Sequence, residues 1–217
     1  MSSSATGQTT TSLIEAGLVG DHRSPFGLPR GLRGRLAGWY MGRADQQHQE
    51  LVGLIPTTPG TRVVEIGFGP GQILASLRAK EPTVSLAGVD PSELMVAAAL
   101  RRNPGADLRV GAAAAMPFED ATADIVVSVN NMPMWPDVDA ALVEIRRVIR
   151  PGGLLLIAWH GGTDPRGHQR QLTFPPERLT ALDATIRRHF SGVQRRPLRH
   201  SELWEAHQPG SAGIEQQ

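Results

Sequence analysis

Between residues 65 and 71 the chain reads Glu-Ile-Gly-Phe-Gly-Pro-Gly, with glycines at Gly67, Gly69 and Gly71. Glycines at alternate positions leave a turn bare of side chains, so a bulky ligand can lie against its backbone. A helix starting just beyond such a turn offers unpaired N–H groups. Asp90 stands 19 residues after the last glycine, at the end of a second apolar run, where a carboxylate can accept two hydrogen bonds from ribose hydroxyls. Dinucleotides and nucleosides share that logic, and spacing separates them. The dinucleotide fingerprint G-x-G-x-x-G would need glycine where Gln72 stands if counted from Gly67, and where Leu74 stands if counted from Gly69. An NAD-dependent oxidoreductase is therefore the least favoured activity. Glu65, a charge inside an apolar run, reads as an acceptor for backbone N–H groups of the turn, with a salt bridge to an arginine as the alternative.

A second group of reactive types follows a later apolar run, at Asn130-Asn131-Met132-Pro133-Met134-Trp135. Neutral amides take no proton at pH 7 but orient ligands, which makes Asn130 a candidate cofactor contact and Asn131 a candidate catalytic residue. Met132, Met134 and Trp135 offer a soft apolar wall for an aromatic or hydrophobic acceptor, with simple loop packing the other reading of Trp135. The candidate bases are Tyr40, His48, His160 and His168, whereas His189, His200 and His207 read as structural. Leu36, Trp39, Tyr40 and Met41 form an apolar stripe that needs a partner surface, and Trp39 and Tyr40 are candidates to wall the acceptor.

The elements that must position these residues alternate. Arg62 to Gly67 follows the turn signal Pro59-Gly60 and predicts a buried strand; Gln72 to Lys80 predicts a helix, and Val84 to Val89 a strand ending on Asp90. Pro91 sits at the start of the next helix, which has acids early and arginines late, as the helix dipole favours. Strands follow at Leu108 to Val110, Ile125 to Val129 and Leu154 to Trp159, with a helix at Asp137 to Ile149. A helix over Pro176 to Phe190 and a hairpin over Gly192 to His207 complete the order. Short connections and strands apolar on both faces predict an α/β fold: a doubly wound, mostly parallel seven-stranded sheet, right-handed in its crossovers, with the hairpin added antiparallel at one edge. Gly31 to Leu54 reads as a helical lid across the ligand crevice, or alternatively as a cover for one sheet face. The expected organisation is a Ser/Thr/Gly-rich tail over 1–20, a helical arm over 21–58, the main domain over 59–207 and a loose end over 208–217.

Composition narrows the chemistry further. The 217 residues, 40% hydrophobic and 20% charged, suit one soluble domain with decoration. The absence of cysteine removes disulfides, thiolate zinc sites, iron–sulfur clusters and thiol nucleophiles, and no metal is expected. A net charge of +1 supplies no field for nucleic acid or anionic membranes, so neither is an expected partner. Lys80 is the sole lysine, which argues against Schiff-base chemistry. No signal-peptide pattern and no apolar run of membrane-spanning length occur, and the expectation is a cytoplasmic protein.

On Glu65, Gly67, Gly69 and Gly71 the chain resembles the class I S-adenosylmethionine-dependent methyltransferases, whose first motif is E-x-G-x-G-x-G. Gly88 to Glu93 resembles their ribose-binding segment, Met116 to Ser128 the run into their fourth strand, and Arg147 to Trp159 their helix, turn and fifth strand, together covering about residues 60–160. The resemblance implies a Rossmann-like sheet, S-adenosyl-L-methionine (SAM) as cofactor and S-adenosyl-L-homocysteine (SAH) as product. It implies that Gly67 to Gly71 cradle the amino-acid end of the cofactor and that Asp90, next to Pro91, holds the ribose. Met95 would pack on adenine, with helix core as the alternative. One departure stands out: the family's acid in G-D-A is replaced in Gly111-Ala112-Ala113, so adenine would rest on backbone near Ala112 and Ala113. Methyl transfer is an in-line displacement governed by positioning, for which a base is optional. The chain is also similar to compact methyltransferases of bacterial natural-product pathways, among them enzymes acting on indole C3 of tryptophan-containing cyclodipeptides to give pyrroloindolines. That implies a small-molecule acceptor; O- or N-methylation of another natural product stays open, as does a non-catalytic SAM-binding protein.

Overall fold

The structure is a computed structural model that describes residues 46–165 and 167–210, with only the backbone described at 167–169. The expected 1–20 tail, the arm as far as residue 45 with Trp39 and Tyr40, and the side chain of His168 lie outside the described residues, as do 211–217.

The described chain runs α1 (Gln46–Leu54), β1 (Arg62–Ile66), α2 (Gln72–Lys80), β2 (Ser85–Asp90), α3 (Glu93–Arg102), β3 (Asp107–Val110), β4 (Ala123–Val129), α4 (Val138–Val148), β5 (Ile149–His160), α5 (Pro176–His189), β6 (Ser191–Pro197) and β7 (Ser201–His207), with 3-10 turns at Met132–Met134 and Gly167–Leu172. One seven-stranded sheet has the order β3-β2-β1-β4-β5-β7-β6. The β1–β2, β1–β4, β2–β3 and β4–β5 pairs are parallel, and β7 runs antiparallel to both β5 and β6. The expected hairpin is therefore present with its second strand against the sheet and its first at the rim.

The order reverses between β1 and β4: the chain winds outward through β2 and β3, then returns to the other side of β1. In open α/β sheets the ligand crevice opens at that switch point, outside the strand carboxyl ends. The strands can be apolar throughout because helices cover both faces. Val64, Val126, Leu155 and Ile157 join α4 and α5 in one core. Val63, Ile125, Val127 and Leu156 join α1, α2 and α3 in the other. The α4 stripe of Val138, Ala141, Leu142, Ile145 and Val148 has helical spacing, and Asp137 caps the helix by accepting from the Ala140 N–H at 2.9 Å.

Two expectations are corrected in detail, and the described part of the arm fits the second of its two readings. The strand expected from Leu154 begins at Ile149, because Ala123 pairs with Ile149 before the register jumps to Ile125 with Leu154, leaving the Pro151-Gly152-Gly153 stretch as an irregularity inside the strand. Pro91 stands outside α3 rather than at its first position, since the Asp90 carboxylate accepts the Ser92 N–H at 2.9 Å and holds Asp90 to Ser92 as a turn before the helix. The described end of the arm, α1, lies on a sheet face with Leu51, Val52 and Ile55 in the core of α2 and α3. The lone lysine fixes it there: Lys80 Nζ donates to the carbonyls of Val52 at 3.0 Å and Ile55 at 2.6 Å, which end α1. Among the described residues no helix is long and apolar enough to cross a membrane.

Candidate functional site

The glycine turn leaves the carboxyl end of β1 at the switch point. Its three glycines answer three different demands. A Cβ on Gly67, at φ 68°, would stand 2.6 Å from the Asn131 amide, and one on Gly71 would stand 2.5 Å from the Asn103 amide nitrogen. At Gly69, φ 52°, a Cβ would meet nothing within 4 Å among the described residues. The two outer glycines thus let protein side chains close in, and the middle one faces open space.

Each glycine N–H of the turn has a partner. Gly67 donates to Val89 O at 2.8 Å, Gly71 to Phe68 O at 2.9 Å, and Gly69 to Asp90 Oδ2 at 2.9 Å. The carboxylate that holds the turn is therefore Asp90 and not Glu65, and among the described residues no arginine pairs with Glu65 either. Glu65 is 3% exposed, and its Oε2 has no hydrogen-bond partner. Burial pushes its carboxyl up to about 8, with the neighbouring Asp90 charge adding to the rise. Asp90 is 6% exposed; burial raises its pKa, while the N–H groups of Ser92 and Gly69 pull the other way. Two buried acids thus stand at the carboxyl ends of β1 and β2, Asp90 bonded to the Gly69 N–H and Glu65 close enough to feel the Asp90 charge, with no cation paired to either among the described residues.

The walls of the turn come from residues that spacing did not single out. Asn103, at the end of α3, donates to Gly71 O at 3.0 Å and to Ala99 O at 3.1 Å, and Arg102 donates to Pro70 O. Its only sequence signal is an amide after two arginines at a helix end, which reads as an ordinary cap. Met95 is buried in α3, Ala113 is buried, and Ala112 is exposed at the end of β3. The Gly111 N–H donates to Asp90 O at 3.2 Å, which ties the alanine loop to the carboxyl end of β2.

Asn131 sits against Gly67 with its amide fully engaged. Its Oδ1 accepts from Ser128 Oγ and Trp135 Nε1, each at 2.9 Å, and its Nδ2 donates to Ile66 O at 2.5 Å and Val129 O at 3.2 Å. The structure places it as a latch between β4 and the glycine turn. Met132 and Trp135 belong to the core shared with α4 and α5, and Met134 is half-buried. Asn130, in a left-handed conformation at φ 57°, exchanges amide hydrogen bonds with Gln47 of α1: Asn130 Nδ2 donates at 3.0 Å and Gln47 Nε2 returns one at 3.3 Å. Gln47 Nε2 also reaches Ser201 Oγ at 3.0 Å, so α1 is clasped to the carboxyl end of β4 and the start of β7. Gln47 and Ser201 carry no motif that would have announced them. His48 is half-buried on α1 beside Gln47, and His160 ends β5 edge-on to Trp159, with ring centroids 5.1 Å apart. His189 bonds Asp139 and His200 bonds the Asp164 carbonyl, each at 2.8 Å, in the structural roles expected of them.

The sequence profile of the family described as "Methyltransferase domain" matches residues 64–157. The protein named uncharacterized methyltransferase YdaC of Bacillus subtilis (strain 168) is 34% identical over 121 residues, covering 54% of this chain and 67% of that protein. The chain belongs to the methyltransferase family. Trans-aconitate 2-methyltransferase of Variovorax paradoxus (strain S110) is 31% identical over 109 residues, covering 50% of this chain and 42% of that protein, so this methyltransferase chain spans less than half the length of that relative. A SAM-dependent methyltransferase from Aquifex aeolicus shares the fold with a TM-score of 0.63 at 16% identity, over 78% of this chain and 96% of that one.

The residues of this methyltransferase fit SAM. The cofactor carries a sulfonium and an ammonium, which answer two buried acids that lack a counter-cation among the described residues, and a ribose diol, which matches the carboxylate of Asp90 at the end of β2. The open space over Gly69 admits its bulk. Bound there, SAM supplies an electrophilic methyl group. Among the described residues no group of three or more His, Asp or Glu side chains is arranged to hold a metal ion.

Proposed function

We propose that this chain catalyses transfer of a methyl group from SAM to an aromatic or hydrophobic small molecule. The observation that carries the reading is the open face of Gly69 beside Asp90, with Glu65 buried next to that carboxylate and no cation paired to either acid among the described residues. In this reading Asp90 accepts from the ribose hydroxyls, and Glu65 supplies negative charge to the cationic end of the cofactor. The backbone near Ala112 and Ala113 borders adenine together with Met95. Asn131 acts through Gly67, as a positioning residue that fixes the turn. The acceptor enters at the carboxyl ends of β4 and β5, where positioning and exclusion of water do most of the work. His48 and His160 stand at that end as the candidate groups for proton removal, and indole C3, phenol oxygen and amine nitrogen are the acceptor atoms to test first.

The test is incubation with methyl-labelled SAM and a panel of indole, phenol and amine acceptors. Label on an acceptor supports the reading. Tight SAM binding with no label on any acceptor would instead favour a non-catalytic SAM-binding protein.

A further inference from the structure

At the carboxyl end of β5 the chain builds a stack that the cofactor site does not use. Trp159 stacks on Phe174, with centroids 5.2 Å and planes 15° apart, and its indole N–H donates to Leu172 O at 2.7 Å. The Arg178 guanidinium lies over the Phe174 ring, 4.6 Å from its centroid. Both rings are buried, and Arg178 is half-buried at the third position of α5.

Arg178 differs from its partnered neighbours, and differs from Arg78, whose Nε is also buried without an acceptor, in lying over an aromatic ring. Arg188 pairs with Asp139, Arg195 with Asp183 and Glu202, Arg147 with Glu144 and Asp120. Arg178 has no carboxylate partner among the described residues, and its Nε is buried without an acceptor. Helix geometry offers no reason for it either, because a cation in the first turn of a helix opposes the macrodipole, and the other arginines of α5 (Arg187 and Arg188) stand in its last turn. Burial pulls the Arg178 guanidinium below the usual arginine range, a cost that the aromatic face offsets only in part. A guanidinium held by its face on a ring keeps its N–H edge for a planar anion, and a carboxylate matches that edge with two parallel bonds.

The position is equally specific. The helix α5 starts where the chain turns back from the carboxyl end of β5, and β5 is the neighbour of β4, which is the neighbour of β1 and its glycine turn. Arg178 therefore stands at the crevice end of the sheet, on the acceptor side.

We propose that Arg178 recognises a carboxylate of the methyl acceptor, held on the Phe174 and Trp159 stack as a cation that awaits its anion. The acceptor class is then an apolar or aromatic acid, and the proposal rests on the methyl-transfer reading of the neighbouring crevice.

The experiment is calorimetric titration of the full chain, saturated with SAH, by matched acid and amide probes: 3-phenylpropionate against 3-phenylpropionamide, and indole-3-propionate against its amide. In the wild type each acid binds about tenfold more tightly than its amide, and added salt narrows the gap. The Arg178→Gln variant loses the preference while SAH affinity and melting temperature stay at wild-type values; Arg178→Lys keeps part of it. Equal binding of acid and amide in the wild type, absence of binding by either acid, or a preference that survives in Arg178→Gln overturns the proposal. If Arg178→Gln fails to fold, the wild-type acid and amide comparison and Arg178→Lys decide alone. Failure of SAH to bind would overturn the methyl-transfer reading itself, and the proposal with it, a result distinct from SAH binding without acid preference.

Discussion

The turn after β1 and the loop after β4 meet across Gly67, yet they are built on opposite plans. The glycine N–H groups of the turn go to partners near in fold and mostly backbone, Val89 O, Phe68 O and the Asp90 carboxylate, while the end of α3 reaches its carbonyls through Asn103 and Arg102. The Asn130-Asn131 loop is held by side-chain amides that join distant stretches, Asn131 to Ile66 and Asn130 to Gln47, with Gln47 going on to Ser201. A backbone plan leaves the ligand face bare and repeats in any chain with the same glycines. A side-chain plan is private to the chain, which is where an acceptor preference can be written.

The sharpest break of this contrast is a pair of glycine variants. Gly67→Val would force a branched side chain into the Asn131 amide at a positive φ and should cost about 3 kcal/mol or more, lowering the melting temperature markedly. Gly69→Val, with nothing within 4 Å, should cost only about 1–2 kcal/mol from its backbone strain, yet lose SAM binding in calorimetry. If the two variants melt alike and bind SAM alike, the outer and middle glycines have the same job and the contrast fails.

Asn131→Ala should come next. It strands the donors of Ser128 and Trp135 and the Ile66 carbonyl, a loss of about 2–3 kcal/mol, read by chemical denaturation together with a shift in Trp fluorescence. Stability within error of wild type would mean the latch is ornamental.

Glu65 gives a pH signature. Its carboxyl titrates near 8 in the folded, cofactor-free chain against 4.5 as the ordinary value. Between those values the folded state holds a proton that the unfolded state has released, so stability falls as pH rises through the window and levels off above it. The slope contributed by this group is at most about 1.4 kcal/mol per pH unit. Glu65→Gln should flatten that part of the profile and raise stability at pH 8; an unchanged profile would contradict the burial of an uncompensated acid. The smallest effect belongs to Gln47→Leu, which removes the clasp on Asn130 and should cost about 1 kcal/mol while leaving SAM affinity unchanged.

The same contrast explains what the sequence disclosed. The helix at Gln72–Lys80, the Asp137 cap and the strand ending on Asp90 follow from local period and turn chemistry, and the family motif located Gly67, Gly69, Gly71 and Asp90 together. The Asn131 amide was visible as a residue type, but its latching depends on Ser128, Trp135 and a carbonyl 65 positions earlier, which no spacing reveals. Glu65 was expected to hold the turn, yet Asp90 on the neighbouring strand does so, since strand pairing puts that carboxylate nearer the Gly69 N–H. Arg178 drew no notice because its distinction, an unpartnered buried Nε over an aromatic ring, is a property of three dimensions only.

The central claim is that the crevice over Gly69 takes SAM through Asp90. Calorimetric titration of SAM and of NAD into the wild type and into Asp90→Ala tests it most directly. The expected result is one SAM per chain in the wild type, no NAD binding, and a loss in Asp90→Ala of at least about tenfold in affinity, since two charge-assisted ribose contacts disappear. Unchanged SAM affinity in Asp90→Ala, or a wild type that binds NAD and ignores SAM, would contradict it.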